Sequence, residues 1–161
     1  MARKKAPQKL SQAEEQTWRA LVRLLVTLPR SIDADLSRRT DLTLTQYVVL
    51  MRLSESPGRS LRMSQLADAA TMSPSRMTRI IQAMVTTGWV ERRTVPGDGR
   101  GSMATLTSAG MSQLKAAWPH HLAGVREVVF DHIDPKDLDD LQRILERLLT
   151  GVLPDPGEGC E

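Results

Sequence analysis

The sequence predicts a mainly helical chain in which four helices are followed by a β-hairpin and then by two further helices. Three observations carry this. Apolar residues recur with the roughly 3.6-residue period of a helix through most of the chain. Two short alternating runs flank one Gly-rich segment, 96–101, as a hairpin requires. Aromatic residues are only 3% of the composition while Leu, Ala, Val and Met dominate it, which favours helices over sheet. At 161 residues the chain has the length of about one domain, enough to bury a core.

The first helix opens on Ser11-Gln12-Ala13-Glu14, a capping box in which the Ser oxygen and the Glu carboxylate satisfy each other's backbone amides. Its apolar positions run Trp18, Leu21, Val22, Leu25, Leu28, Ile32 and Leu36, with Pro29 expected to interrupt and kink it. A second helix opens at Leu44-Thr45-Gln46-Tyr47, and a short third one holds Met63-Ser64-Gln65-Leu66-Ala67. Ser73-Pro74 then starts a fourth, because the Ser oxygen accepts an orphan amide and Pro at the first helical position loses no hydrogen bond. Met77, Ile80, Ile81 and Met84 form one apolar stripe on it. Ser75, Arg79, Gln82 and Thr86 fall on the opposite side, flanked by Arg76 and Thr78. Taken alone, that polar face fits a solvated surface and a nucleic-acid contact equally well.

The hairpin shifts the balance. Trp89 to Val95 and Met103 to Leu106 alternate as two short strands, and Pro96-Gly97-Asp98-Gly99-Arg100-Gly101 between them presents Arg100 at a tip that cannot hold a packed core. Asp98 stands where it orients or neutralises that guanidinium. A helix, a turn, a second helix with a basic outward face and then a basic hairpin is the order of a winged helix-turn-helix, which lays one helix in a DNA major groove and a ribbon along the backbone. The DNA-contacting set read from it is Ser73, Ser75, Arg76, Thr78, Arg79 and Gln82 on the helix, with Asp98 and Arg100 in the wing. Double-stranded DNA is the partner this arrangement fits.

At these residues the chain resembles the MarR family of bacterial transcriptional regulators. The similarity is carried by Leu44-Thr45-Gln46-Tyr47 with Val49-Leu50, by Met63 to Ala67, by Ser73 to Arg79, and by Asp98-Gly99-Arg100 followed by Leu106-Thr107-x-x-Gly110. It extends from about Ser11 to Leu149. Residues 43–107 are then the winged helix-turn-helix, residues 11–40 and 108–150 a helical dimerisation region, residues 1–10 a flexible basic tail and residues 151–161 a disordered one.

The terminal helices support a dimer independently. Thr107 starts a helix carrying Met111, Leu114, Trp118, Leu122, Val125 and Val129 with Pro119 inside it. Asp134-Pro135 caps a last one with Leu138, Leu141, Ile144, Leu145, Leu148 and Leu149. These stripes exceed what a small winged-helix core covers, and a homodimer buries the surplus. The resemblance implies the same, since the first, fifth and sixth helices of such regulators interleave.

Charge is unevenly placed. Between Arg59 and Arg100 seven Arg stand against Asp68, Glu91 and Asp98, whereas from Asp131 onward nine acidic residues stand against three basic ones. The positive middle marks the expected phosphate footprint, and the acidic end is expected to face away from DNA. No apolar run approaches a membrane span and no secretory signal follows the basic start, so the expected compartment is the cytoplasm.

Enzymatic chemistry finds little to stand on. There is no P-loop, dinucleotide fingerprint or nucleophile elbow, and His120, His121 and His132 are not spaced to share a metal. No cofactor is expected. Cys160, the only cysteine, excludes an intrachain disulfide. Peroxide-sensing members of the resembled family carry a reactive Cys near the start of the first helix, and this chain has none there. A small-molecule effector or no effector remains; where the resembled family has one, it is a small aromatic or anionic ligand held in a cleft of the first, second and fifth helices. Trp18, Tyr47, Met51, Trp118 and His121 lie on those segments, each also a plausible core residue.

The expected function is that of a dimeric, ligand-responsive repressor on a pseudo-palindromic operator. Two other classes fit the same residues. One is a winged-helix module for protein–protein contact, with Arg79 and Arg100 incidental; the other is a small-molecule-binding protein built on a helical dimer.

Overall fold

The computed structural model of the chain describes residues 8–94 and 101–152. The elements are α1 (Gln12–Arg39), α2 (Leu44–Glu55), β1 (Ser60–Arg62), α3 (Met63–Ala69), α4 (Pro74–Thr86), β2 (Val90–Thr94), β3 (Ser102–Leu106), α5 (Ser108–Val128) and α6 (Leu138–Val152). They fall into two compact units, Met1–Gly124 and Val125–Glu161.

Helix starts follow the capping chemistry. At α1 the Glu14 amide donates to Ser11 Oγ and the Ser11 amide to Glu14 Oε2, at 3.3 and 2.7 Å. Thr43 and Gln46 make the same reciprocal pair at α2, at 3.2 and 2.9 Å. Pro29 does not interrupt α1, which runs unbroken through it, and Pro119 likewise lies inside α5. Each removes one amide donor while the neighbouring hydrogen bonds hold the helical course.

The core of the first unit gathers Leu36 from α1, Leu42, Tyr47, Val49, Leu50 and Leu53 around α2, Leu66 and Ala67 from α3, and Met77, Ile81 and Met84 from α4, all essentially solvent-free. Val90, Ala104, Leu106, Leu114 and Ala117 close it from the sheet and α5. Of the apolar stripe expected on α4, Ile80 is only partly buried and packs against this core from the side.

The sheet has one strand more than the sequence predicts. Its order is β1-β3-β2, antiparallel throughout, with Leu61 and Arg92 both opposite Ala104. Ser60–Arg62 is too short to show alternation and is a strand only because β3 offers a free edge; Ser60 Oγ bonds Thr105 Oγ1 across that edge at 2.9 Å. The hairpin strands also begin one residue away from the expected positions, since Trp89 belongs to the preceding turn and Ser102 pairs with Thr94.

Both turns around α4 use one hydrogen-bond scheme. After α4 the Gly88 amide bonds Val85 O and the Trp89 amide bonds Met84 O, with Gly88 at φ 74°, so the chain reverses through a left-handed residue into β2. After α3 the Thr71 amide bonds Asp68 O and the Met72 amide bonds Ala67 O, but the left-handed position is filled by Thr71 at φ 52°. A β-branched side chain is strained there, and the strain sits in the turn between the two helices that set the angle of α4.

In the second unit Asp134 caps not the helix itself but the tight turn Pro135–Asp137 before it, accepting the Lys136 amide at 3.1 Å. The last helix therefore begins at Leu138, and Val129 lies beyond the end of α5. None of the α6 residues is buried, although Ile144, Leu145, Leu148 and Leu149 are all on it.

Candidate nucleic-acid interface

The interface is built around the first turns of α4. Ser73 Oγ accepts the Arg76 amide, Pro74 occupies the first helical position, and Met77, Ile81 and Met84 hold the helix down on the core. That anchoring leaves Ser73, Ser75, Arg76, Thr78, Arg79 and Gln82 all exposed, as the periodicity predicts. Thr78 donates its hydroxyl to Pro74 O at 2.9 Å, so only its lone pairs face outward as acceptors. Neither Arg76 nor Arg79 forms an ion pair among the described residues, which keeps both guanidiniums open for an anionic partner. The helix N-terminus adds its positive dipole end to the same surface.

The hairpin cations are differently placed. Arg93 Nη2 lies 2.7 Å from Glu91 Oε2, and Arg92 donates from Nε and Nη2 to Ser102 Oγ at 3.1 and 3.0 Å. Arg93 thus contributes less net field than a count of Arg residues suggests. Asp98 and Arg100, the wing-tip candidates, lie outside the described residues, as does Cys160. Among the described residues no group of His, Cys, Asp and Glu is arranged to hold a metal, and no helix is long and apolar enough to cross a membrane.

Of the five residues expected at an effector cleft, two stand in ring contact. Tyr47 and His121 come together across α2 and α5, their ring centroids 4.2 Å apart. Met51 packs against the core from its edge. Trp18 and Trp118 are more than half exposed, at 55% and 53%. Burial pushes the Tyr47 phenol up to about 12, with the Glu55 carboxylate adding to the shift. Burial pushes His121 below the usual imidazole range, so the ring is held neutral.

Tyr47 Oη and His121 Nδ1 are buried without a hydrogen-bond partner among the described residues, and so is Oδ2 of Asp35. Asp35 was not singled out by sequence. Its Oδ1 does take Arg39 Nε at 2.9 Å, but the residue is buried and its other oxygen faces the Cα of Gly124 on α5.

A helix-turn-helix whose second helix stands exposed and basic on an apolar base, followed by a β-hairpin that pairs with the short strand before it, is a winged helix-turn-helix. The sequence model of the MarR family matches residues 40–101. An HTH-type transcriptional repressor of Mycobacterium tuberculosis is 33% identical over 107 residues, covering 66% of this chain and 75% of that protein. Among solved structures, a MarR family regulator of Streptomyces coelicolor in complex with DNA superposes with a TM-score of 0.85 at 32% identity, over 96% of this chain and 97% of the other. AbsC, a second regulator of that organism, gives 0.81 at 33% identity over 91% and 98%. The chain belongs to the MarR family of transcriptional regulators.

Proposed function

We propose that this regulator is a repressor that binds a pseudo-palindromic DNA operator as a homodimer, with α4 in the major groove. The observation that carries the reading is the exposed α4 face, where Arg76 and Arg79, without an ion pair among the described residues, stand beside the open amide donors of the helix start. The repressor named among the relatives and the DNA complex of the similar Streptomyces regulator support it. Two-fold symmetry would set two such helices roughly 34–36 Å apart, one turn of DNA. The apolar surface left open on α1 and α6 supports the homodimer.

Selection of genomic fragments, followed by gel-shift titration at two salt concentrations, tests this reading. Saturable, salt-sensitive and sequence-selective binding is expected. In the same assay Arg79→Ala is expected to cost about 1–3 kcal/mol on operator and much less on random DNA, because a base-edge contact is lost. Equal loss on both would reassign Arg79 to the backbone. Binding that is unselective at every salt concentration would favour the protein–protein module instead.

Effector control belongs to the same proposal. The orphaned Tyr47 hydroxyl and a His121 Nδ1–H are two donors that the carboxylate of a small aromatic acid or similar planar anion would satisfy, since buried polar atoms without partners are costly. Binding there is expected to quench Trp fluorescence and weaken operator binding about 5–150-fold, with operator DNA weakening the ligand by the same factor. Titration of a phenolic panel with and without operator measures both. Quenching of equal affinity in the two cases would make the site real but not regulatory.

A further inference from the structure

A cleft of about 580 Å³ opens between the second half of α1, the start of α2 and α4. Its rim carries three guanidiniums from two helices, Arg30 on α1 with Arg76 and Arg79 on α4, while Ile80 forms part of its apolar wall. The one carboxylate in the lining, Asp33, is tied to the protein: its Oδ1 accepts the Leu44 amide at 2.7 Å, which also fixes α1 against the start of α2. Among the described residues Arg30, Arg76 and Arg79 form no ion pair and no side-chain hydrogen bond. Three open cations therefore face a single carboxylate already engaged by a backbone amide.

We propose that this cleft is a seat for the DNA sugar-phosphate backbone, with Arg30 a phosphate-binding residue outside the helix-turn-helix. The inference rests on the reading of α4 as the groove-bound helix. Arg76 and Arg79 belong at once to that helix and to the cleft rim, so a duplex laid against α4 brings one of its strands, a line of closely spaced charges, along the opening toward Arg30. Arg30 supplies the far side of the same strand with a fork of donors that phosphate oxygens match. The contact would fix the register of the duplex on α4 and carry no sequence information of its own.

The test is operator and random-DNA affinity of the full chain, by fluorescence anisotropy across a salt series, for the wild type, Arg30→Gln and Arg30→Lys. Arg30 is exposed and has no ion pair among the described residues, so both variants are expected to melt as the wild type does. With Arg30→Gln the slope of log K against log salt is expected to become shallower by about 0.9 per bound protomer, with affinity falling equally on both DNAs. Arg30→Lys should keep the wild-type slope, and phosphate-ethylation interference should lose one position per half-site in Arg30→Gln alone. An unchanged slope and ethylation pattern in a wild type that does select its operator would overturn the backbone seat and leave the operator reading standing. A wild type that selects no operator would overturn that reading itself. If the slope is unchanged while inorganic phosphate, at constant ionic strength, raises the melting temperature of the wild type but not of Arg30→Gln, the cleft holds a free anion and the proposal fails.

Discussion

Gly110→Ala is expected to destabilise the chain by about 3 kcal/mol, at the upper end of the usual overpacking range, because the atom that a new methyl would meet is backbone. A Cβ at this position would press into the Trp89 carbonyl and approach Leu106 Cδ1 to 2.8 Å. The carbonyl cannot withdraw freely. It accepts the Thr107 amide at 3.1 Å and the Thr107 hydroxyl at 3.0 Å, and that same hydroxyl oxygen accepts the Gly110 amide at 3.0 Å. The Leu-Thr-x-x-Gly run is thus a joint: Thr107 caps α5 and ties it to the turn before β2, and Gly110 lets the helix sit against that turn. Thermal unfolding should register a fall of roughly 6–12 °C, at 2–4 °C per kcal/mol for a chain of this size. Gly151, on α6 with nothing within 4 Å of its Cβ position, is the control; Ala there should stabilise slightly through helix propensity. Equal effects at the two positions would mean that the joint tolerates a methyl and that spacing, not contact, explains the glycine.

The fold was legible wherever local chemistry decides it. Ser11 with Glu14 and Ser73 with Pro74 announce helix starts, and the spacing of Met77, Ile81 and Met84 orients α4 with no tertiary information. What could not be read depends on partners distant in sequence. Ser60–Arg62 is a strand only beside β3, Pro29 is carried by the helix around it, and the burial of Asp35 is decided by Gly124 on α5. The candidate site divides in the same way. The exposed α4 face follows from periodicity, whereas the role of Arg30 needs the cleft that three helices make together. The Tyr47 and His121 rings were both candidates by position, but only the fold brings them into contact.

The paired substitution Leu141→Asp and Leu145→Asp is expected to abolish the homodimer, and operator binding with it. On α6 the apolar side chains Leu138, Leu141, Leu145 and Leu148 follow one face at spacings of three and four, while Asp140 and Arg143 pair on the other at 2.7 Å. In the chain by itself that apolar face is uncovered: Leu145 and Leu148 are 46% and 47% exposed, although a Leu stripe gains stability only where it is buried. If a second copy covers it, each Asp places an unpaired carboxylate in an apolar seam at a cost of about 3–5 kcal/mol. At 1.4 kcal/mol per tenfold, even one substitution then weakens association more than a hundredfold. Sedimentation velocity should show a monomer or unfolded chain, and a gel shift should show no selective complex, since one α4 contacts half of a two-fold site. Asp at Arg147 and Thr150, on the polar face of the same helix, controls for lost helix propensity and should leave the dimer intact. If the double Leu variant still sediments as a dimer, α6 is not the seam, and the uncovered apolar residues of α1, Leu24, Leu25 and Val26 among them, become the next surface to charge.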